Sequence, residues 1–202
     1  MFLLCALKKN ITMKINSANF IVLGNWNKKN FTPDWVKNNL FDNPNDIDFE
    51  GIVNFEDFDL GYSCNDLIIM PRENSLEISL KQFSVENITA ATKLLIKIFN
   101  LLPHTPLKAI GFNLKFFAKN NEDNELINLS NKLFSSSLTL PLTQIKFTEN
   151  KDTYLLNIII DNFNEDLIIN YNFHYNQILN LTENSFVEHF NETIKYSQEN
   201  GN

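Results

Sequence analysis

Apolar positions between Val85 and Leu102 recur at spacings of three and four: Val85, Ile88, Ala91, Leu95, Ile98, Leu101 and Leu102. That is the period of one buried helical face, and it predicts a long amphipathic helix. Ser84 stands where an N-cap belongs, Asn87 falls in the first turn, and Pro103 stops the run. Pro106 disfavours the helical conformation at Thr105 and so pushes the chain into extended structure before Leu107. From there Leu107, Ala109, Gly111 and Asn113 alternate with Lys108, Ile110, Phe112 and Leu114. Apolar side chains on both faces predict a central strand, running to Phe117 and covered on at least one side.

The same reading extends along the chain. Ala18 to Gly24 predicts a first strand, and a turn-rich stretch then leads to Thr32-Pro33-Asp34-Trp35. Thr32 as N-cap with Pro33 at the first helical position opens a short helix ending near Leu40 or Phe41. Between Asp46 and Leu80 apolar residues come in short runs, with Asn65-Asp66 and Arg72-Glu73-Asn74 as hairpin connections. A second short helix is expected from about Asp123 to Phe134. Strands follow near Thr143 to Thr148, Thr153 to Ile160 and Asp166 to Tyr175, with polar connections at Glu149 to Asp152 and Asn162 to Glu165. A last helix from Asn184 to Gln198 would turn Phe186, Phe190 and Ile194 inward.

This order is strand, short helix, hairpin strands and long helix, given twice. The short helices begin near Pro33 and Asp123 and end in similar text, Asn38-Asn39-Leu40-Phe41 and Asn131-Lys132-Leu133-Phe134. The expected class is therefore α+β: one antiparallel sheet with helices on one face, built from a duplicated β-α-β(3-4)-α unit. Residues 13–202 would form a single domain with pseudo-repeat halves 18–102 and 107–198, and residues 1–12 a poorly ordered extension. In outline the order resembles the saddle topology of the TATA-binding-protein-like fold. That resemblance implies two halves sharing a curved sheet; the family's DNA-binding residues have no counterpart here, and the acidic charge opposes that function.

Composition narrows the functional classes. The chain has 202 residues, 33 of them asparagine, and a net charge of −7, with Arg72 as its only arginine. An Asn-, Ile-, Lys- and Phe-rich vocabulary points to codon bias in an AT-rich bacterial genome. The charge opposes nucleic acid as the main partner, since phosphate binding needs clustered cations. It suits a basic protein partner better. Met1 to Leu7 is too short for a signal-peptide core, and no apolar run reaches the roughly 18 residues of a membrane span. Cys5 and Cys64 make neither a disulfide framework nor a metal knuckle, which fits a reducing cytoplasm.

Candidate chemistry is sparse. His104, in Leu-Pro-His-Thr-Pro, is placed to cap the last carbonyls of the long helix more readily than to act as a base. His174 and His189 would meet if the last helix folded back, but a zinc site needs further ligands. Gly61-Tyr62-Ser63-Cys64 lacks the spacing of a nucleophile elbow, and no phosphate-cradling glycine loop occurs. Glu56, Asp57 and Asp59 read as the solvated face of a hairpin. Trp26 sits in a polar Asn-Trp-Asn-Lys-Lys loop, where local burial is hard, and it forms an aromatic group with Phe31 and Trp35. The expectation is a non-enzymatic cytoplasmic protein-interaction module without cofactors, such as an immunity or antitoxin-like inhibitor or an assembly subunit. Its candidate contact residues are Trp26, Trp35, Asp57, Asp59 and His104. The alternative is an enzyme or small-ligand binder with a pocket between sheet and helices.

Overall fold

Thr32 Oγ1 accepts the Trp35 backbone N–H at 3.2 Å, and with Pro33 in the first turn this opens α1, Pro33–Leu40. Ser84 Oγ does the same for the Asn87 N–H at 3.2 Å and opens α2, Val85–Leu101. Both caps follow from short side chains whose oxygen satisfies an orphan amide. A computed structural model describes residues 14–54, 59–118, 144–163, 166–176 and 181–198. The expected helix from Asp123 to Phe134 and the extension at 1–12 lie outside these residues. α3 spans Val187–Gln198, three residues later than its text suggested, because Thr182 to Ser185 close a turn of their own.

The strands are β1 (Lys14–Gly24), β2 (Phe49–Asn54), β3 (Asp59–Cys64), β4 (Leu67–Pro71), β5 (Ser75–Leu80), β6 (Leu107–Ala118), β7 (Gln144–Asn150), β8 (Leu155–Phe163) and β9 (Asp166–Tyr175). They hydrogen-bond in the order β2-β3-β4-β5-β1-β6-β9-β8-β7. The fold is thus α+β with a large antiparallel sheet and few helices. Asn65 and Asp66 form a two-residue hairpin between β3 and β4, with Asn65 at φ 50°. Asparagine tolerates that left-handed conformation better than most residues. Asp48 fixes it further: Asn65 N–H donates to Asp48 O at 2.9 Å, and Asn65 Oδ1 accepts the Asp48 N–H at 3.0 Å.

By internal contacts the chain divides into two compact units. The first comprises Ser17–Phe112 and His174–Val187. Its register places Tyr62 opposite Ile69, Ile69 opposite Ile78, and Ile78 opposite Phe20, one apolar row across four strands. All four side chains are fully buried. Phe20 stacks on Phe112 at 4.7 Å, and Phe186 meets both rings. α2 packs on β5 and α1 through Ile88, Ala91, Thr92, Leu94, Leu95 and Ile98. Val85 and Leu101, counted on its apolar face by spacing, are exposed at its ends. Thr92 is buried because its hydroxyl donates to Ile88 O at 2.8 Å. At the close of β1 a Cβ on Gly24 would lie 2.9 Å from Pro106 O, so only glycine lets the strand end there without a shift.

The second unit comprises Met1–Asn16, Asn113–Phe173 and Glu188–Asn202. Leu114, Phe116, Leu156, Ile158, Ile160, Leu167, Ile169, Tyr171 and Phe173 form its core, with Phe190 from α3. Phe116 and Tyr171 meet edge to face at 5.7 Å. The opposite face of these strands is polar. Asn172 donates to Asn113 (2.6 Å), Asn157 to Asn172 (3.0 Å) and Thr148 to Asn157 (2.9 Å). Four strands are thereby joined by one row of side-chain bonds. Among the described residues no helix is long and apolar enough to cross a membrane.

Candidate functional site

Trp26 is not the exposed anchor that its polar loop suggested; it is 3% exposed. Its indole N–H donates to Val22 O at 3.1 Å, and Phe99 of α2 and Phe31 cover the ring. The loop itself is tethered by backbone bonds: Gly24 to Asn74, Asn25 to Pro106 and Trp26 to Glu73. Trp35 is half-buried and meets Phe31 edge to face at 5.3 Å. The structure therefore brings Trp26, Phe31 and Trp35 together as a support for the loop. The Tyr62 hydroxyl donates to Phe31 O and ties the same support to β3.

Asp59 also departs from its solvated reading. It is 5% exposed, with Lys28 Nζ 2.6 Å from Oδ1 and Arg72 Nε 3.8 Å from Oδ2. Burial of a carboxylate requires such compensation, and the two cations come from loops far apart in the chain. The single arginine, its side chain 40% exposed, thus pairs with Asp59 at the longer distance. Asp57 lies outside the described residues.

Histidine chemistry does not converge. His104 is exposed; the end of α2 is closed by backbone bonds, Leu102 N–H to Ile98 O and Thr105 N–H to Leu102 O. His174 bonds Asn176 at 2.9 Å. His189 stacks on Phe173, from which strand alternation turns His174 away. Among the described residues no group of three or more His, Cys, Asp or Glu could hold a metal ion.

Burial pushes the His189 imidazole below its ordinary value, partly offset by Glu188. The unfolded chain therefore binds the proton more tightly than the folded one, and stability rises with pH in this range. The contribution is complete above the unfolded value near 6.5 and is lost as pH falls below it toward the lower folded value. Urea midpoints at about pH 7.5 and 5.5 should differ accordingly. The His189→Phe chain should show a smaller difference. An equal drop in both chains would assign the pH dependence elsewhere.

Two of the exposed large apolar side chains, Val53 and Leu60, lie at the β2 end of the sheet; Leu23, Val85 and Leu101 are exposed elsewhere. β2 is an edge strand among the described residues, and Val53 stands directly opposite Leu60 of β3. These two apolar side chains are 52% and 41% exposed. Edge strands are ordinarily blunted with lysine, proline or a bulge. β2, Phe-Glu-Gly-Ile-Val-Asn, has no lysine or proline and carries one exposed charge, Glu50, whereas the opposite edge, β7, carries Lys146. Position in the strand order made this site, and no local motif signals it.

Among the described residues two cavities stand out, neither lined by His104 or His174. One, of about 270 Å³, lies in the first unit between Leu67, Leu94 and Phe41 with Lys93 and Lys97 among its lining residues and Cys64 in its wall. Burial pushes the Cys64 thiol up to about 12, which makes it a poor nucleophile. The other lies in the second unit.

No protein-family model matches the sequence, and no curated protein does. Among solved structures, Methanococcus jannaschii TBP is similar over 93% of this chain and 98% of that chain, at 11% identity and a TM-score of 0.33. At that score the likeness identifies neither the fold family nor the function.

Proposed function

We propose that this chain is a non-enzymatic protein-interaction module that pairs the β2 edge of its sheet with a strand of a basic partner protein. The observation that carries the reading is the exposed Val53–Leu60 pair on an edge lacking lysine or proline. Added strands gain affinity from main-chain hydrogen bonds and specificity from alternate side chains. Here Val53 and Leu60 would supply the apolar contact. Glu50, exposed on the same strand, and the net charge of −7 favour a cationic partner. The strand order reads outward from the β1–β6 centre as β5-β4-β3 and β9-β8-β7. This supports a duplicated unit in which only the first half carries the additional strand β2 among the described residues.

The test is affinity capture followed by titration of the captured protein. The Val53→Lys/Leu60→Lys chain should keep its thermal midpoint and bind at least about tenfold more weakly, a loss of ~1.4 kcal/mol. Added salt should weaken the wild-type complex. A wild-type chain that retains no partner, or a double variant that binds equally well, overturns the reading.

A further inference from the structure

The cavity of the second unit has a volume of about 240 Å³, aromatic walls and carboxylates in its lining. Tyr171 and Phe173 line it from β9, two residues apart and hence on one face of the strand. Tyr154, just ahead of β8, forms a further wall, its ring centroid 5.8 Å from that of Phe173 with the planes at 54°. His189 packs at this corner, stacked on Phe173 at 4.4 Å and meeting Tyr154 edge-on at 4.6 Å. Glu149 of β7 and Glu192 of α3 also line the space, and Lys151 pairs with Glu149 at 2.6 Å. Among the described lining residues, two carboxylates face one ammonium.

Each chemical class of ligand fares differently against such walls. An anion meets Glu149 and Glu192, which repel it. A neutral apolar molecule gains nothing from Glu149 or Glu192. A cation is attracted by these carboxylates and by the rings, since aromatic faces carry negative potential and draw substituted ammonium groups. The volume falls below the roughly 300–1,000 Å³ of sites that enclose a drug-sized ligand. It therefore suits a head group better than a whole large molecule.

We infer that this cavity binds a substituted ammonium head group of the choline or methylated-amine type, with Tyr154, Tyr171 and Phe173 as walls and Glu192 as the counter-charge. Lys151 is then a competitor for Glu149. The site is separate from the β2 edge, which belongs to the first unit, so either reading can fail without the other.

The probes are choline and its neutral isostere, in which a quaternary carbon replaces the nitrogen. Both are titrated at constant ionic strength into the full chain and followed by amide chemical shifts. Choline should bind saturably and the neutral isostere at least about fivefold more weakly. Tyr154→Leu should weaken choline by about 5- to 30-fold. Because Glu192 is exposed, Glu192→Gln should fold normally; it should weaken choline and leave the isostere unchanged. Lys151→Gln should tighten choline. Equal binding of the two probes, an unchanged affinity in Glu192→Gln, or no saturable choline binding overturns the inference.

Discussion

Replacing Phe20 by alanine should lower the unfolding free energy by about 3–5 kcal/mol, a large share of the ~5–15 kcal/mol of an ordinary domain. Phe20 is fully buried and holds one end of the apolar row that runs through Ile78, Ile69 and Tyr62. Its ring stacks on Phe112 at 4.7 Å and meets Phe186 at 5.0 Å. Truncation removes the transfer energy of the ring and leaves a void beside Phe112 and Phe186. Aromatic pairing adds roughly 0.5–1.5 kcal/mol per pair beyond area. Urea denaturation reads the loss directly, with Phe20→Leu expected to restore more than half of it. A decrease below about 1.5 kcal/mol for Phe20→Ala would show that the core can collapse around the gap.

The second large effect is chemical. In a Cys5→Ser chain, iodoacetamide at pH 8 should label native Cys64 at least about a thousandfold more slowly than the urea-unfolded chain. The thiolate is the nucleophile, and burial raises this thiol from 9.0 to about 12. Those three pKa units reduce the thiolate fraction about a thousandfold at any pH below both values. Enclosure by the sheet adds a steric barrier. Residual labelling should proceed through opening of the fold, so its urea dependence should follow that of global unfolding. Native labelling within about tenfold of the unfolded rate would contradict the burial of Cys64.

What could be read from the chain depended on the range of the forces involved. The helix over Val85–Leu101, the turn at Asn65-Asp66 and the strand Asp166–Tyr175 are encoded by neighbouring residues, through caps, period and turn chemistry. The Trp26 loop is polar locally, yet Phe99 of a distant helix covers the ring. Asp59 belongs to an acidic stretch, yet Lys28 and Arg72 arrive from two separate loops. Neither partner can be inferred from spacing. β1 also begins at Lys14, ahead of the expected Ala18, because Lys14 to Ser17 lack the alternating apolar text that marks a strand locally. The β2 edge became visible only through the strand order, since period two reads alike in edge and central strands.

The row from Thr148 through Asn157 and Asn172 to Asn113 has a direction. Every donor points the same way, toward β6. Aspartate is one nucleotide from asparagine. An aspartate can accept but cannot donate. At Asn157 or Asn172 it would accept from both neighbours, so the amides between it and β6 must turn to donate and the row reverses there, whereas at Asn113 it would still accept from Asn172 with no amide turned. Aspartate is therefore accommodated without rearrangement only at the terminal rung.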